Sequence, residues 1–441
     1  MPVNAIIGLQ RGDEGKGRFT EFLAQEAEVV ARFNGGPNAG HTIVTPEGTE
    51  LALHTIPSGV THEDTVNVIG NGVVIDPISL VEEMRCVQDA GIRIDQRNLC
   101  ISHAAHLILP HHRAQDRMRE NGEGAQGSTK KGIAYAVAAK ALRANPRVED
   151  IKYDPGDLRR YVFERLAEIR ADREENDPDY VEGRETFEVA EFMASAKRIA
   201  RFACDTSSFL LTYLNESPDG IVLAEGAQGS LLDIETGMYP CVTSMPTNSW
   251  AIAPGLGIPP HSVDKILGVI KIPQSHVGDG PFITEIEDEE LLTRLHGDKT
   301  SVDAEVGTTT QRTRRLGFLD LPQIRRAIQL NAPAGKLDLA ISKLDWVPRF
   351  GDDLAVCDRY LVKDRPTDVA PCSEIELSQA RPSYAELENW DPSIDISGVR
   401  DFSDLPPAAI ELVRFIYQSL DVYVSMVGVG PSRDQIIHLD R

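Results

Sequence analysis

Residues 3–23 read VNAIIGLQRGDEGKGRFTEFL. Val3–Leu9 is an apolar run, a glycine-punctuated polar loop follows at once, and Phe19, Phe22 and Leu23 then fall at helical spacing. Strand, loop and helix in that order open an α/β sheet. Within the loop, Gly12-Asp13-Glu14-Gly15-Lys16-Gly17 has three glycines that let the backbone turn tightly and aim its N–H groups inward. The helix N-terminus adds positive potential there, and Lys16 stands where it can meet phosphate oxygens. The pattern reads as a phosphate-binding loop, with a glycine-rich turn bearing a solvated lysine as its alternative. It is not a Walker A sequence, since G-x-x-x-x-G-K-[ST] is absent. Asp13 shifts the balance, because an acid inside a phosphate cradle is repelled by the ligand unless a metal or a proton transfer justifies it.

Further strand candidates are Glu28–Phe33, Val66–Ile69, Ile221–Glu225, Lys265–Ile270, Leu337–Lys343 and Val422–Met426. Helical patterns alternate with them. Asp76-Pro77 supplies an N-cap and a first-turn proline for a helix through Ala90 closed by Gly91, followed by Gly132–Ala144, a charged stretch from Gly156 to Leu214, Asp320–Leu330 and Pro407–Leu420. The alternation predicts an α/β fold: a large, mostly parallel central sheet with helices on both faces, P-loop-NTPase-like, with helical and loop insertions. No repeat or flexible linker divides residues 1–441, which read as one domain. Residues 172–179 and 364–387 are the most polar stretches and read as surface excursions.

The chain has 441 residues, 41% of them hydrophobic, enough for a sizeable core. The formal net charge of −23 argues against non-specific binding to nucleic acid or anionic membrane, because the overall field repels polyanions. A local basic pocket can still take a phosphate. Cys86, Cys100, Cys204, Cys241, Cys357 and Cys372 are scattered without C-x-x-C spacing, so neither a zinc site nor a disulfide framework is expected. No secretory signal and no membrane-spanning run is expected, and the setting reads as cytoplasmic.

Asn34-Gly35-Gly36-Pro37-Asn38-Ala39-Gly40-His41-Thr42 is a second flexible turn, presenting an amide and an imidazole. Beside an acid-bearing phosphate loop, a histidine is a natural proton donor or charge stabiliser near neutral pH. These two loops, with His54-Thr55-Ile56-Pro57-Ser58-Gly59 and Ile69-Gly70-Asn71-Gly72-Val73-Val74, resemble the adenylosuccinate synthetase family. Glu225-Gly226-Ala227-Gln228-Gly229, Tyr239-Pro240, Val277-Gly278, Gly280-Pro281-Phe282, Val306-Gly307-Thr308-Thr309, Lys343-Leu344-Asp345 and Gly430-Pro431 continue the resemblance in order along nearly the whole chain.

The resemblance implies a ligase that joins L-aspartate to IMP using GTP and Mg2+, by phosphorylating O6 of the purine and displacing the phosphate with the amino group of aspartate. Carried over, Asp13 takes the N1 proton and sits on the metal with the backbone carbonyl of Gly40, His41 stabilises charge on the leaving diphosphate, and Lys16 assists. The purine nucleotide falls to Asn38, Thr129, Gln228 and Thr243, with Arg143 reaching across a homodimer interface. Thr308, Thr309, Thr310 and Arg312 match the loop that closes on aspartate. The triphosphate falls to Gly12, Glu14, Gly15, Lys16, Gly17, Gly40, Thr42, Arg314, Lys343, Asp345 and Gly430, with Asp345 at the guanine.

The sequence also departs from the family pattern. Arg11 stands where tryptophan is usual, Lys130-Lys131 where Gly-Arg is usual, and Ala134-Tyr135 where Gly-Pro is usual. Residues 244–250 replace a run of small residues and threonines, His276 and Asp279 replace arginine and alanine, and Gln311 and Thr313 interrupt the closing loop. The alternatives to the leading reading are a diverged paralogue acting on another purine (deoxy)nucleotide or amine, with ATP in place of GTP, and a GTP-binding regulator without catalysis. Asp13 with His41 favours the enzyme, since a switch needs phosphate sensing but no general base.

Overall fold

The computed structural model describes residues 3–439, apart from 45–47, 124, 126, 218, 298–304, 306–312 and 334. Its centre is a ten-stranded sheet. In chain order the strands are β1 (Val3–Gly8), β2 (Val29–Arg32), β3 (Val66–Ile69), β4 (Leu99–Ser102), β5 (Ala203–Cys204), β6 (Val222–Gly229), β7 (Val263–Lys271), β8 (Leu337–Ser342), β9 (Val424–Gly428) and β10 (Ile436–His438). Their spatial order is β10-β9-β8-β7-β1-β6-β2-β3-β4-β5, with every neighbouring pair parallel except the antiparallel edge β9–β10.

The apolar runs are strands because the sheet is covered on both faces, so successive residues are buried alternately above and below it. On β1, Val3, Ala5 and Ile7 join the larger core, while Ile6 points the other way to Phe19, Leu267, Val269 and Met426. Phe19 lies on helix α1 (Lys16–Leu23), which packs directly behind β1. A second core gathers β3, β4 and helix α2 (Pro77–Asp89), whose N-cap Asp76 accepts from the amide of Ile78 at 3.0 Å.

Two expectations need correction. The charged stretch 156–214 is four helices, Pro155–Glu168, Arg170–Asn176, Glu185–Ile199 and Thr206–Glu216, with the edge strand β5 before the last. Asp177-Pro178 stops the second helix and Asp205 caps the fourth, accepting from Ser208 N at 3.0 Å. Residues 172–179 are also not wholly a solvated excursion. Arg173 is buried, donating to both oxygens of Glu188 at 2.9 Å and pairing with Asp177 at 3.2 Å. In the second polar stretch, Arg365–Thr367 and Ala380–Glu386 pair antiparallel with Ala355–Val362 in a small separate sheet.

The topology places the chemistry. Beyond the carboxyl ends of β1, β2, β7, β8 and β9 come Gly12–Gly17, Asn34–His41, His276, Lys343–Asp345 and Gly430, and Gln228 is the penultimate residue of β6. In an open parallel sheet, that edge is where ligands bind.

Candidate active site

The first loop is built around Glu14. Its buried carboxylate accepts from the amides of Gln10 at 3.1 Å and Gly12 at 2.9 Å, and Lys16 Nζ lies 2.6 Å from it. The glycine at 229 on β6 makes room, since a Cβ there would lie 2.4 Å from the carbonyl of Gln10 and 2.5 Å from the amide of Gly12. Glu14 was expected on the triphosphate, but its side chain is turned into the loop, so what it offers a ligand comes from its backbone. Gly15, at φ 85°, caps α1 in a conformation that a side chain resists.

His41 sits where β2, β6 and the turn at Ser58 meet. Its Nδ1 bonds the carboxylate of Glu225, which also takes the Ser58 amide at 2.8 Å and hydroxyl at 2.6 Å. Arg32 Nη1 stands 3.4 Å from the same nitrogen. Burial, with the Arg32 charge added, pushes His41 down to about 4, so the imidazole is neutral at physiological pH. Burial alone would raise Glu225, but His41, Arg32 and Ser58 bring it to about 2. With Nδ1 committed to Glu225, Nε2 is the nitrogen left for a ligand.

Asp13 belongs to a second cluster. Arg314 Nε lies 2.9 Å from its carboxylate, and Arg314 Nη1 donates to Glu305 at 3.1 Å. Fully buried Glu305 also accepts from Lys271 Nζ at 2.8 and 3.1 Å and from Lys343 Nζ. Burial favours its neutral form, but Lys271, Lys343 and Arg314 together hold it ionised, well below the usual carboxylate range. Burial in turn pushes Lys271 down to about 8. Lys343 Nζ also stands 3.9 Å over the Trp346 ring. Asp345 lies in the first turn of the segment Leu344–Asp353, and Gly430 follows β9 under the side chain of Gln435.

Among the residues expected at the purine nucleotide, Asn38 and Gln228 meet directly, Gln228 Nε2 donating to Asn38 Oδ1 at 3.2 Å. Thr243 is tied by its amide to the carbonyl of Leu232 at 2.8 Å. Thr129 lies on a turn fixed by Asp116, which accepts from Ser128 Oγ and from the Gly132 amide, both at 2.8 Å. Arg143 is exposed at the end of helix α3 (Ile133–Ala141). Thr308, Thr309, Thr310 and Arg312 lie outside the described residues. Among the described residues no group of three or more His, Cys, Asp or Glu side chains is placed to hold a metal.

A family model described as adenylosuccinate synthetase matches residues 5–437. The chain belongs to the adenylosuccinate synthetase family. Adenylosuccinate synthetases form a C–N bond between L-aspartate and IMP with GTP as co-substrate, and this chain is a ligase of that kind. It is 42% identical to the adenylosuccinate synthetase of a Parafrankia species over 99% of each chain. It is 39% identical to that of Salinibacter ruber over 99% of this chain and 98% of that one. A fully ligated adenylosuccinate synthetase from Plasmodium falciparum superposes with a TM-score of 0.85 at 30% identity, covering 100% of both chains.

Glu225, Ser58, Arg32, Lys271 and Glu305 were not singled out from the sequence. Glu225 and Ser58 stand inside quoted adenylosuccinate synthetase motifs, so a signal was present. For Lys271 and Glu305, 34 residues apart in sequence, nothing local says that they meet.

Proposed function

We propose that phosphoryl activation and aspartate addition run on Asp13 and His41. Asp13 removes the purine N1 proton, O6 attacks the γ-phosphate of GTP and GDP leaves, and the amino group of aspartate then displaces phosphate from C6. The observation that carries this reading is the pair of clusters at one sheet edge, a neutral imidazole fixed by a buried carboxylate and an aspartate held by an arginine. A carboxylate within hydrogen-bond reach of a ring proton is what general-base catalysis requires.

A Mg2+ ion would be held by Asp13 and the Gly40 carbonyl. One carboxylate and one carbonyl, without a protein cage, suit an ion that keeps waters and phosphate oxygens as its other ligands. When bound, it supplies neutralisation of the triphosphate charge. Asn38, Gln228, Thr243 and Thr129 orient the purine nucleotide. Thr308, Thr309, Thr310 and Arg312 take aspartate, and the Gly12–Gly17 loop, Gly40, Thr42, Arg314, Lys343, Asp345 and Gly430 take GTP. In this reading the protein is a cytoplasmic homodimer, and exposed Arg143 completes the neighbouring subunit's site. All six cysteines are free, and among the described residues no helix is long and apolar enough to cross a membrane.

The test is steady-state phosphate release and adenylosuccinate formation, read with each substrate omitted in turn. Product that needs IMP, aspartate and GTP together is expected, with Asp13→Ala and His41→Asn lowering kcat by about 10²-fold or more. Aspartate-independent GTP hydrolysis would overturn the reading. Mixing Arg143→Leu with Asp13→Ala chains is expected to restore activity through hybrid dimers, and no recovery would remove Arg143 from the partner's site.

A further inference from the structure

Arg11 is used by nothing described so far, although it precedes Asp13 by two residues and is only 4% exposed. Its Nη2 donates to the carbonyl of Pro281 at 2.7 Å and lies 3.6 Å from the sulfur of Met238, and its guanidinium covers the Phe282 ring at 5.0 Å. Nε and Nη1, both buried, find no acceptor among the described residues. Asp320 is the carboxylate whose charge acts on it, but the two form no ion pair, and the oxygens of Asp320 already take the Tyr360 hydroxyl and the Gln323 amide. A guanidinium stays charged at neutral pH wherever it sits in a protein.

The same ring carries two more basic side chains. Arg315 lies over it at 5.6 Å but is matched by Glu285 and by the carbonyls of Gly278 and Gly280. His276 meets it edge-on at 6.2 Å, with Nε2 on the carbonyl of Asp279 at 3.0 Å and Nδ1 buried without a partner among the described residues. Two guanidinium groups and an imidazole thus surround one phenyl ring, and among the described residues Glu285 is the carboxylate paired with one of them, Arg315. A desolvated cation with unmade donors is costly unless an anion arrives with the ligand.

In the reading above, GTP falls to the Gly12–Gly17 loop and the purine nucleotide to Thr129 and its companions. The co-substrate that reacts at the purine carbon beside Asp13 brings two carboxylates. The segment expected to close on aspartate, residues 308–312, leads in sequence to Arg315. Positions 11 and 276 are also two of the departures from the family pattern, tryptophan and arginine being usual there. Both side chains flank Phe282.

We propose that Arg11, backed by Phe282 and His276, is a subsite for a carboxylate of the amino-acid co-substrate and sets the preference for a dicarboxylic donor. The proposal rests on the reaction read above. Its test uses the full chain, with KM for aspartate, IMP and GTP measured separately. Arg11→Met is expected to raise the aspartate KM about 10- to 100-fold while leaving the other two within about twofold. Arg11→Lys should recover part of the loss. Arg11→Trp should behave like Arg11→Met, and Arg11→Trp with His276→Arg should recover most of the affinity.

A second readout needs no turnover. Succinate, added with IMP and a non-hydrolysable GTP analogue, should raise the Tm of the unmodified protein and leave that of Arg11→Met unmoved. An unchanged aspartate KM in folded Arg11→Met, or equal rises in all three KM values, would assign Arg11 to packing and overturn the subsite. Failure of the unmodified protein to form product while the succinate response persists counts against the reaction and leaves the subsite standing.

Discussion

Glu225 acts through His41 rather than on substrate, because both of its oxygens are occupied by His41, Ser58 and the Ser58 backbone. Replacing it with glutamine keeps the shape and removes the charge that fixes which ring nitrogen carries the proton. Glu225→Gln is expected to lower kcat by about 10²-fold with substrate KM values little changed. Because the two residues form one unit, the double variant with His41→Asn should be no worse than His41→Asn alone. Multiplicative losses in the kcat of the single and double variants would separate them. At this scale Asp13 and His41 stood out in the sequence because an acid and an imidazole in glycine-rich loops have few bland explanations. Glu225 lies on an apolar strand, and its partner is 184 residues away, so only the fold reveals what it holds.

At the scale of elements, the strand–loop–helix unit was legible because apolar run, glycines and helical spacing are all local signals. The interior of the loop was not. It depends on β6 passing so close that residue 229 has no room for a Cβ. Gly229→Ala is expected to displace the loop, costing about 1–3 kcal/mol and raising the GTP KM together. Gly398→Ala, at a glycine with nothing within 4 Å of an added Cβ, should change neither. Thermal melts and GTP kinetics on the two variants check this, and a loop indifferent to Gly229→Ala would show that the close approach does not position it. Helix breaks between 156 and 214 were obscured for the opposite reason. Charged residues at helical spacing continue across Asp177-Pro178, and the edge strand β5 is only two residues long.

For the whole molecule, burial sets the response to acid. His41, His106 and His111 are pushed down to about 4, His276 to about 3 and His112 to about 2, in each case first by burial. Between the ordinary value of 6.5 and about 4, the unfolded chain binds protons that the native state refuses, so stability falls as the pH is lowered through that window. Asp320, raised by burial to about 6, and Glu83, also raised by burial, work in the opposite direction at acid pH, as two carboxyls against five histidines. Melts between pH 7 and pH 4.5 should show Tm falling by about 5 °C or more, and a flat or rising Tm would contradict the buried, neutral histidines. By itself the sequence determined the parallel α/β class, the two glycine-rich loops and the residue types of the chemistry, because periodicity, glycine spacing and ordered motifs are written in neighbouring residues. Tertiary structure alone decided that Glu14 faces inward, that Glu305 gathers Lys271, Lys343 and Arg314, and that Arg11 and His276 share one ring. Those contacts join loops from separate strands, and no local pattern encodes which distant side chains a sheet edge will bring together.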